Sequence, residues 1–595
     1  MTTFLDRPEA SRRSGLADSG HRPLLLSACL VMTFLALGPV LRVCAAAEPA
    51  DDLTKEHRDQ LERRAGELEK QANQLYQQGK HPDATKLRLQ ILAIHQQLYP
   101  KGQFPNGHPD LAQSLTWLGF MLHAQANYGD ARGYFEQALA MRQALYPKET
   151  CPNGHPDVAQ CLNNLGSLLL AQGHYAEARG YFEKALAMYQ ALYPKENYPH
   201  GDADLAIGLN NLGALLQAQG AYAGARDYFE QALAMCQALY PKETHPHGHA
   251  DLVRSLNNLG LLLQEQGNNA DARRYYEQAL AMCQTLYPKD KFPNGHLYVA
   301  FALNNLGLLL QEQGNNADAR PYYEQALAMS QALYPEDMYP DGHPDLSQSL
   351  HNLGSLLRDQ GDYVGARRFF EQHLVMCQRL YPNEKCPDGH PFLAHSLNSL
   401  GGLLRDQGEY AGARGYFERA LAMRRALYPE EKYPHGHPHL ATSLSILGGL
   451  FRDEGEYTRA RGYYEQALAM HQDLYPKDMY PHGHPHLAVN LSNLSFLLQT
   501  QGNYAGALAY SQQALDMYQG LTEILVPALS EGEALNYLTS LPMARDLFLS
   551  ISRDIPDSDA GSYAQISRSK GALFRIVRSR EQTLRRLVDP ESRDL

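Results

Sequence analysis

One tryptophan in 595 residues, eight cysteines and only 20% charged side chains set the first limits on this chain. A chain this long exceeds what one compact core supports, so either several domains or one extended array is expected. The near-absence of tryptophan beside heavy use of Ala, Leu, Tyr, Gln and Gly points to helix pairs rather than a β-rich fold. Positive charge is scarce as well. The net charge is −12, and the first 47 residues carry five Arg against three acids, which leaves the remainder near −14. That balance disfavours a nucleic-acid backbone as partner. No Ser-His-Asp, Cys-His or paired-carboxylate arrangement stands out, and no Gly-rich phosphate loop is present. The chain is therefore read as non-enzymatic, with no catalytic residue and no cofactor.

A single long uncharged run exists, from Pro23 to Leu41, preceded by Arg12, Arg13 and Arg22 and followed by Ala45-Ala46-Ala47. Residues 1–47 thus read as an export signal or signal anchor. The expected location is exported, periplasmic or secreted, with membrane attachment only if the segment 23–41 stays uncleaved. Of the cysteines beyond it, Cys236, Cys283 and Cys377 share one repeat position. Equivalent helices of neighbouring repeats stand too far apart for a disulfide, so free thiols are expected.

Leu-Tyr-Pro begins at Leu98, Leu145, Leu192, Leu239, Leu286, Leu333, Leu380, Leu427 and Leu474, every step being 47 residues, and the phase runs on to Leu521. Within one unit an apolar pattern of helical spacing (Val158, Leu162, Leu165, Leu168) stops at Gly173, and a second runs from Tyr175 to Leu192. Pro156 and Asp157 suit a helix N-terminus, and Gly173 supplies the left-handed residue that closes the first helix. Gly166, Ala178 and Ala185 let the two helices approach, with Phe182 between them. The fold class that follows is all-α, a solenoid of about ten 47-residue helix pairs with a short helical tail.

Leu165-Gly166, Ala178, Phe182 and Ala185 stand at the spacing of the tetratricopeptide signature. Leu-Asn-Asn-Leu-Gly after a His-Pro-Asp helix start makes the chain resemble the kinesin light chain subtype over roughly residues 64–521. The resemblance implies a right-handed superhelix that binds an extended peptide or partner protein in a concave groove. The expected domains are 48–98, a degenerate polar capping repeat in which Gln71 and Arg88 replace core residues; 99–521, the array; and 522–595, a helical tail. The connector is some five residues longer than in that subtype. It carries a large side chain before a Pro (Phe104, Cys151, Tyr198, His245, Phe292, Tyr339, Cys386, Tyr433, Tyr480) that either tucks against the solenoid edge or forms a second binding surface.

By the same resemblance the residue three before the signature Gly points into the groove: Asn163, Asn210, Asn257, Asn304, His351 and Asn398 are the expected peptide-binding column. Their amides either pair with a guest backbone or bond between repeats, as the next column (Asn164, Asn211, Asn258, Asn305, Asn352) is expected to do. Further along the helix, Arg358, Arg405 and Arg452 form either a positive stripe for a carboxylate-rich peptide or one neutralised by Asp359, Asp406 and Asp453. Arg132–Glu136, Arg179–Glu183, Arg273–Glu277 and Arg414–Glu418 are expected to be solvated i,i+4 pairs. The alternating histidines of the connectors (His245, His247, His249; His435, His437, His439; His482, His484, His486) are read as loop packing, and no metal is assigned to them.

From Leu529 to Ser550 and again from Ser567 to Ala572 the tail resembles the segment that joins tetratricopeptide arrays of bacterial proteins to a CHAT domain, a caspase-like protease fold. That resemblance implies a second role, as the sensor arm of a split or truncated protease whose CHAT module would be a partner. The basic amphipathic stretch 568–588 is expected to cap the array or dock a partner, with a membrane surface as the alternative.

Overall fold

The computed structural model describes residues 54–77, 81–124, 127–266, 268–384, 386–478 and 480–525, together with Phe548 and Ile551. The N-terminal segment expected to direct export and, those two residues apart, the tail beyond residue 525 expected to resemble a CHAT linker lie outside the described residues. Among the described residues the chain is entirely helical, in ten antiparallel pairs. The pairs are α1 (Lys55–Gln77) with α2 (His81–Leu98), α3 (Pro109–Ala124) with α4 (Tyr128–Leu145), and α5 (Pro156–Ala171) with α6 (Tyr175–Leu192). Next come α7 (Ala203–Ala218) with α8 (Tyr222–Leu239), α9 (Ala250–Glu265) with α10 (Asn269–Leu286), and α11 (Leu297–Glu312) with α12 (Asn316–Leu333). The array closes with α13 (Pro344–Asp359) and α14 (Tyr363–Leu380), α15 (Pro391–Asp406) and α16 (Tyr410–Leu427), α17 (Pro438–Asp453) and α18 (Tyr457–Leu474), and α19 (Pro485–Thr500) and α20 (Tyr504–Leu525).

Local chemistry explains each boundary. The His155 ring caps α5 by accepting the Asp157 amide at 3.2 Å, while Pro156 occupies the first turn. At the other end Gly173 takes φ +75°, and the His174 amide reaches back to the Leu169 carbonyl at 2.9 Å, a Schellman closure. Between the helices a Cβ on Gly166 would sit 2.6 Å from the Phe182 ring, so only glycine admits that ring. Phe182 is fully buried, and burial of such a side chain stabilises by roughly 1.5–3 kcal/mol.

The long connectors are folded units themselves. Tyr146 stacks on His155 at 3.6 Å, and Tyr334 on His343 at the same distance, while Tyr339 meets Tyr334 edge-on at 5.3 Å. In the latter the tyrosine hydroxyl also donates to Asp345 at 2.8 Å. Where the residue before Pro is aromatic it therefore tucks onto the tyrosine of Leu-Tyr-Pro, and the histidine of Gly-His serves at once as ring partner and helix cap.

First helices of successive pairs touch one another (α5 with α7, α7 with α9, α13 with α15), whereas second helices stand further apart, so the first helices line the inner side of the curve. The first pair departs from the pattern. Arg88 takes the position that Phe135 holds in the next unit, is 2% exposed, pairs with Glu69 and lies 4.4 Å from the Trp117 ring centroid. The six described cysteines are all free thiols. No helix among the described residues is long and apolar enough to cross a membrane.

The superhelix closes on itself. The Gln172 amide donates to the Tyr433 hydroxyl at 3.5 Å across 261 residues of sequence, and His174 lies 5.5 Å from the same ring. Tyr175 stacks on Tyr475 at 6.5 Å, and Gly220 faces Pro485. Separations of 261 to 300 residues amount to about six units, so one superhelical turn takes about six pairs and the next turn rests on it. Turns within the early pairs seat the connectors of the late ones, and one apolar cluster joins residues from Val158 to Ala326 with residues from Leu404 to Ala514.

Candidate partner-binding wall

The residues expected to face a guest lie on the inner helices, and the structure divides them. Asn163, Asn210, Asn257 and Asn398 are 2–5% exposed, whereas Asn304 and His351 are half-buried. The two asparagine columns interlock from one unit to the next. Asn258 donates to Asn210 Oδ1 at 3.0 Å, Asn305 to Asn257 Oδ1 at 3.2 Å and Asn352 to Asn304 Oδ1 at 3.1 Å. Asn210 also donates to the Ala206 carbonyl at 3.0 Å and the Ser255 hydroxyl at 3.3 Å. These amides fasten adjacent inner helices, each contributing on the order of 1 kcal/mol.

The arginine column is a second ladder. Arg405 Nε donates to Asp453 at 2.6 Å, Arg358 reaches Asp406 in the same way, and Gln311 donates to Asp359 at 2.6 Å. Each donor is answered by the acid of the following unit, so the stripe carries its own counter-charge. The Arg358, Arg405 and Arg452 side chains are only 12–13% exposed. Arg452 lacks an acid in the next unit, folds back on Asp453 at 2.8 Å and lies 5.0 Å from the Phe496 ring.

On the outer helices Arg132–Glu136 and Arg273–Glu277 form as the spacing requires, at 2.8 and 2.7 Å, and Arg179–Glu183 stands at 3.8 Å. Arg414 is the exception. It turns from Glu418 to Glu454 and Glu456 of the next unit, because the Phe451 ring offers its guanidinium a face at 5.0 Å.

Sequence reasoning passed over the column three residues before the first asparagines, one turn away on the same helical face. It reads Ile207, Arg254, Phe301, Gln348, His395 and Thr442, and all six are half-buried. The signal was present: neighbouring columns keep one residue type over several units, whereas this one, after Gln113 and Gln160, changes in each of the next six units. The inner wall is thus a rigid, internally bonded frame with a variable, accessible row beside it.

The repeats have known relatives. Tetratricopeptide repeat profiles match residues 110–191, 204–285, 298–379 and 345–426, and a second such profile matches 440–486 and 490–521. The chain belongs to the tetratricopeptide repeat family. Its solved structural neighbours include BtubC (BKLC) from P. vanneervenii, at 23% identity over 42% of this chain and 90% of that one, TM-score 0.33. A putative kinesin light chain from Podosopora anserina, with nearly identical repeats, shares 22% identity over 38% and 97% of the two chains, TM-score 0.29. Rap protein, solved in complex with competence and sporulation factor, shares 13% identity over 66% and 99%, TM-score 0.38. No curated protein matches the chain. As a tetratricopeptide array, the chain is a protein–protein interaction scaffold.

Proposed function

We propose that the inner wall holds an extended segment of a partner protein and that the chain does no chemistry of its own. The observation that carries this reading is the variable row Ile207, Arg254, Phe301, Gln348, His395 and Thr442, half-buried beside an amide ladder that holds its helices in place. Fixed helices lower the ordering cost of binding, and side chains that differ from unit to unit give selectivity along the guest. Within the expected column, Asn304 and His351 are the members open to a guest, and the closed Asn210 and Asn257 act by holding the wall. The arginines Arg358, Arg405 and Arg452 contribute as paired groups, so a guest matched to them carries both signs of charge.

A photocrosslinking residue at Phe301 and another at Val364, which is 83% exposed on α14, test the wall against an outer position in the full chain. The expected result is a discrete protein adduct from Phe301 alone, reduced when Arg254 and Gln348 are changed to Ala. Equal adducts from both positions would reject the assignment.

A further inference from the structure

Ten near-copies of one unit allow each departure from a column to be read against the column itself. Position 373 is Ala in the neighbouring units (Ala279, Ala326, Ala420, Ala467), yet here a histidine fills it, 1% exposed. Position 351 is Asn in the four preceding units (Asn163, Asn210, Asn257, Asn304) and is also histidine here, and position 395 introduces a third. The repeat needs none of the three, and the fold brings them together. Ring centroids are 4.4 Å apart for His351–His395, 5.2 Å for His351–His373 and 6.3 Å for His373–His395.

Their hydrogen bonds orient the nitrogens. Ser399, itself standing where the earlier units place Asn, donates its hydroxyl to the His395 carbonyl at 3.1 Å, and its oxygen accepts from His351 Nδ1 at 3.3 Å. With its proton on Nδ1, His351 turns the Nε2 lone pair toward His395 Nε2, 3.1 Å away. A ligand imidazole is held in this way when its second nitrogen donates to a neighbouring oxygen. Two nitrogens each about 2.0–2.1 Å from one tetrahedral ion stand roughly 3.3 Å apart, close to the observed gap. His373 holds Ser347 Oγ at 2.8 Å through Nδ1, and its buried Nε2 has no hydrogen-bond partner. No three His, Cys, Asp or Glu side chains among the described residues form a ready cage, so the pair supplies the first two ligands.

We propose that His351 and His395 form a two-imidazole binding site for a borderline transition-metal ion of the zinc or nickel class, with His373 packed beside His351. Binding asks only that His395 shift its proton from Nε2 to Nδ1, so no proton is released at neutral pH. Both ligands are half-buried on inner helices, α13 and α15, and the ion's remaining positions are left to water or to a carboxylate or imidazole of a guest. The site uses His351 and His395 of the proposed guest-binding wall, but its test needs no guest, so either reading can fail alone.

The test uses substitutions that neighbouring units already tolerate: His351→Asn as at position 304, His395→Gln as at 348, and His373→Ala as at 326. The full chain is titrated with Zn²⁺ by calorimetry and with Co²⁺ by visible absorption. One saturable site per chain is expected, weakened about tenfold or more by His351→Asn or His395→Gln, with circular dichroism and the unfolding midpoint confirming the fold. His373→Ala is expected to weaken it less and to alter the Co²⁺ spectrum. Binding unchanged in the double variant His351→Asn/His395→Gln would place the ion on the connector histidines and overturn the proposal, as would the absence of a saturable site in the native chain.

Discussion

The connector ahead of α5 and the connector ahead of α17 share the pattern Tyr-Pro-x-Glu-x-x-Pro-x-Gly-His and the same tyrosine–histidine stack, and differ most at Cys151 against Tyr433. Tyr146 stacks on His155 at 3.6 Å, and Tyr428 on His437 at 3.6 Å. Yet the His155 side chain is 30% exposed, while His437 is 2% exposed. Tyr433 covers one edge of His437 where Cys151 cannot cover His155, and winding supplies the rest, since Gly173 of the earlier turn faces His437 and Pro438. The later connector rests on the turn that ends α5, six units back, and the earlier one has no turn of the solenoid beneath it. The same tyrosine–histidine stack therefore occupies two environments, and the comparison separates what a connector does for its own unit from what it does for the superhelix.

The largest contrast is expected from the stacking tyrosines. Tyr475, 3% exposed and packed on Tyr175 of the earlier turn, should cost about 3–5 kcal/mol when changed to Ala. Tyr240, which makes the same stack on His249 at 3.7 Å with no second turn against it, should cost less than half as much. Denaturant unfolding followed by circular dichroism measures both. Equal costs would mean that the contact between turns contributes nothing to stability.

Acidification sharpens the same comparison. Burial holds His437 and His484 well below the ordinary imidazole value and pushes His439 to about 3, the Arg424 charge adding to the effect on His439. Around His437 stand His439, Arg424 and, from the facing turn, His174, all cationic or able to become so. Against them the Ala171 and Ala218 backbones favour protonation of His437 and His484 respectively, and burial outweighs both. Because the closed seam binds fewer protons than an opened one, its stability is complete above about pH 6.5 and declines as pH falls below it. Each histidine contributes about 1.4 kcal/mol per pH unit. Small-angle scattering should show the particle expanding between pH 7.5 and pH 5. The double variant His437→Asn/His484→Asn keeps a helix cap, as Asp202 does ahead of α7, and should expand less. A radius of gyration constant over that range would contradict the seam's reliance on neutral histidines.

Most of the architecture was legible in the sequence because it is local. The period of 47, the Gly173 closure, the Gly166–Phe182 contact and the free thiols each depend on residues within one or two units. The double asparagine column was legible in part: the second column was expected to bond between repeats, whereas the first was expected to face a guest and instead accepts from the second at Asn210, Asn257 and Asn304. What a single unit does not encode is the winding. Whether the seventh unit passes clear of the first or rests on it depends on a small rotation summed over many interfaces. Gln172 and Tyr433 carry no local mark of their meeting, and the buried state of Tyr381, Tyr428 and Tyr475 follows from that sum.

The smallest effect is the most specific test of the seam. Changing Tyr433 to Phe keeps the ring on Tyr428 at 5.3 Å and removes only the hydroxyl that accepts from Gln172. Gln219 stands in the same relation to Tyr480 one unit later. A hydrogen bond of 3.5 Å lies at the weak end of the range, so the loss should be about 0.5–1 kcal/mol. Tyr198, 40% exposed in its own connector, makes the same edge-on contact with Tyr193 at 5.1 Å but has no turn below it. Tyr198→Phe should therefore change the unfolding midpoint by no more than the scatter of surface substitutions, about 0.5 kcal/mol. If both variants lose the same amount, the hydroxyl serves the connector and not the seam, and the stacked turns are held by their aromatic faces alone.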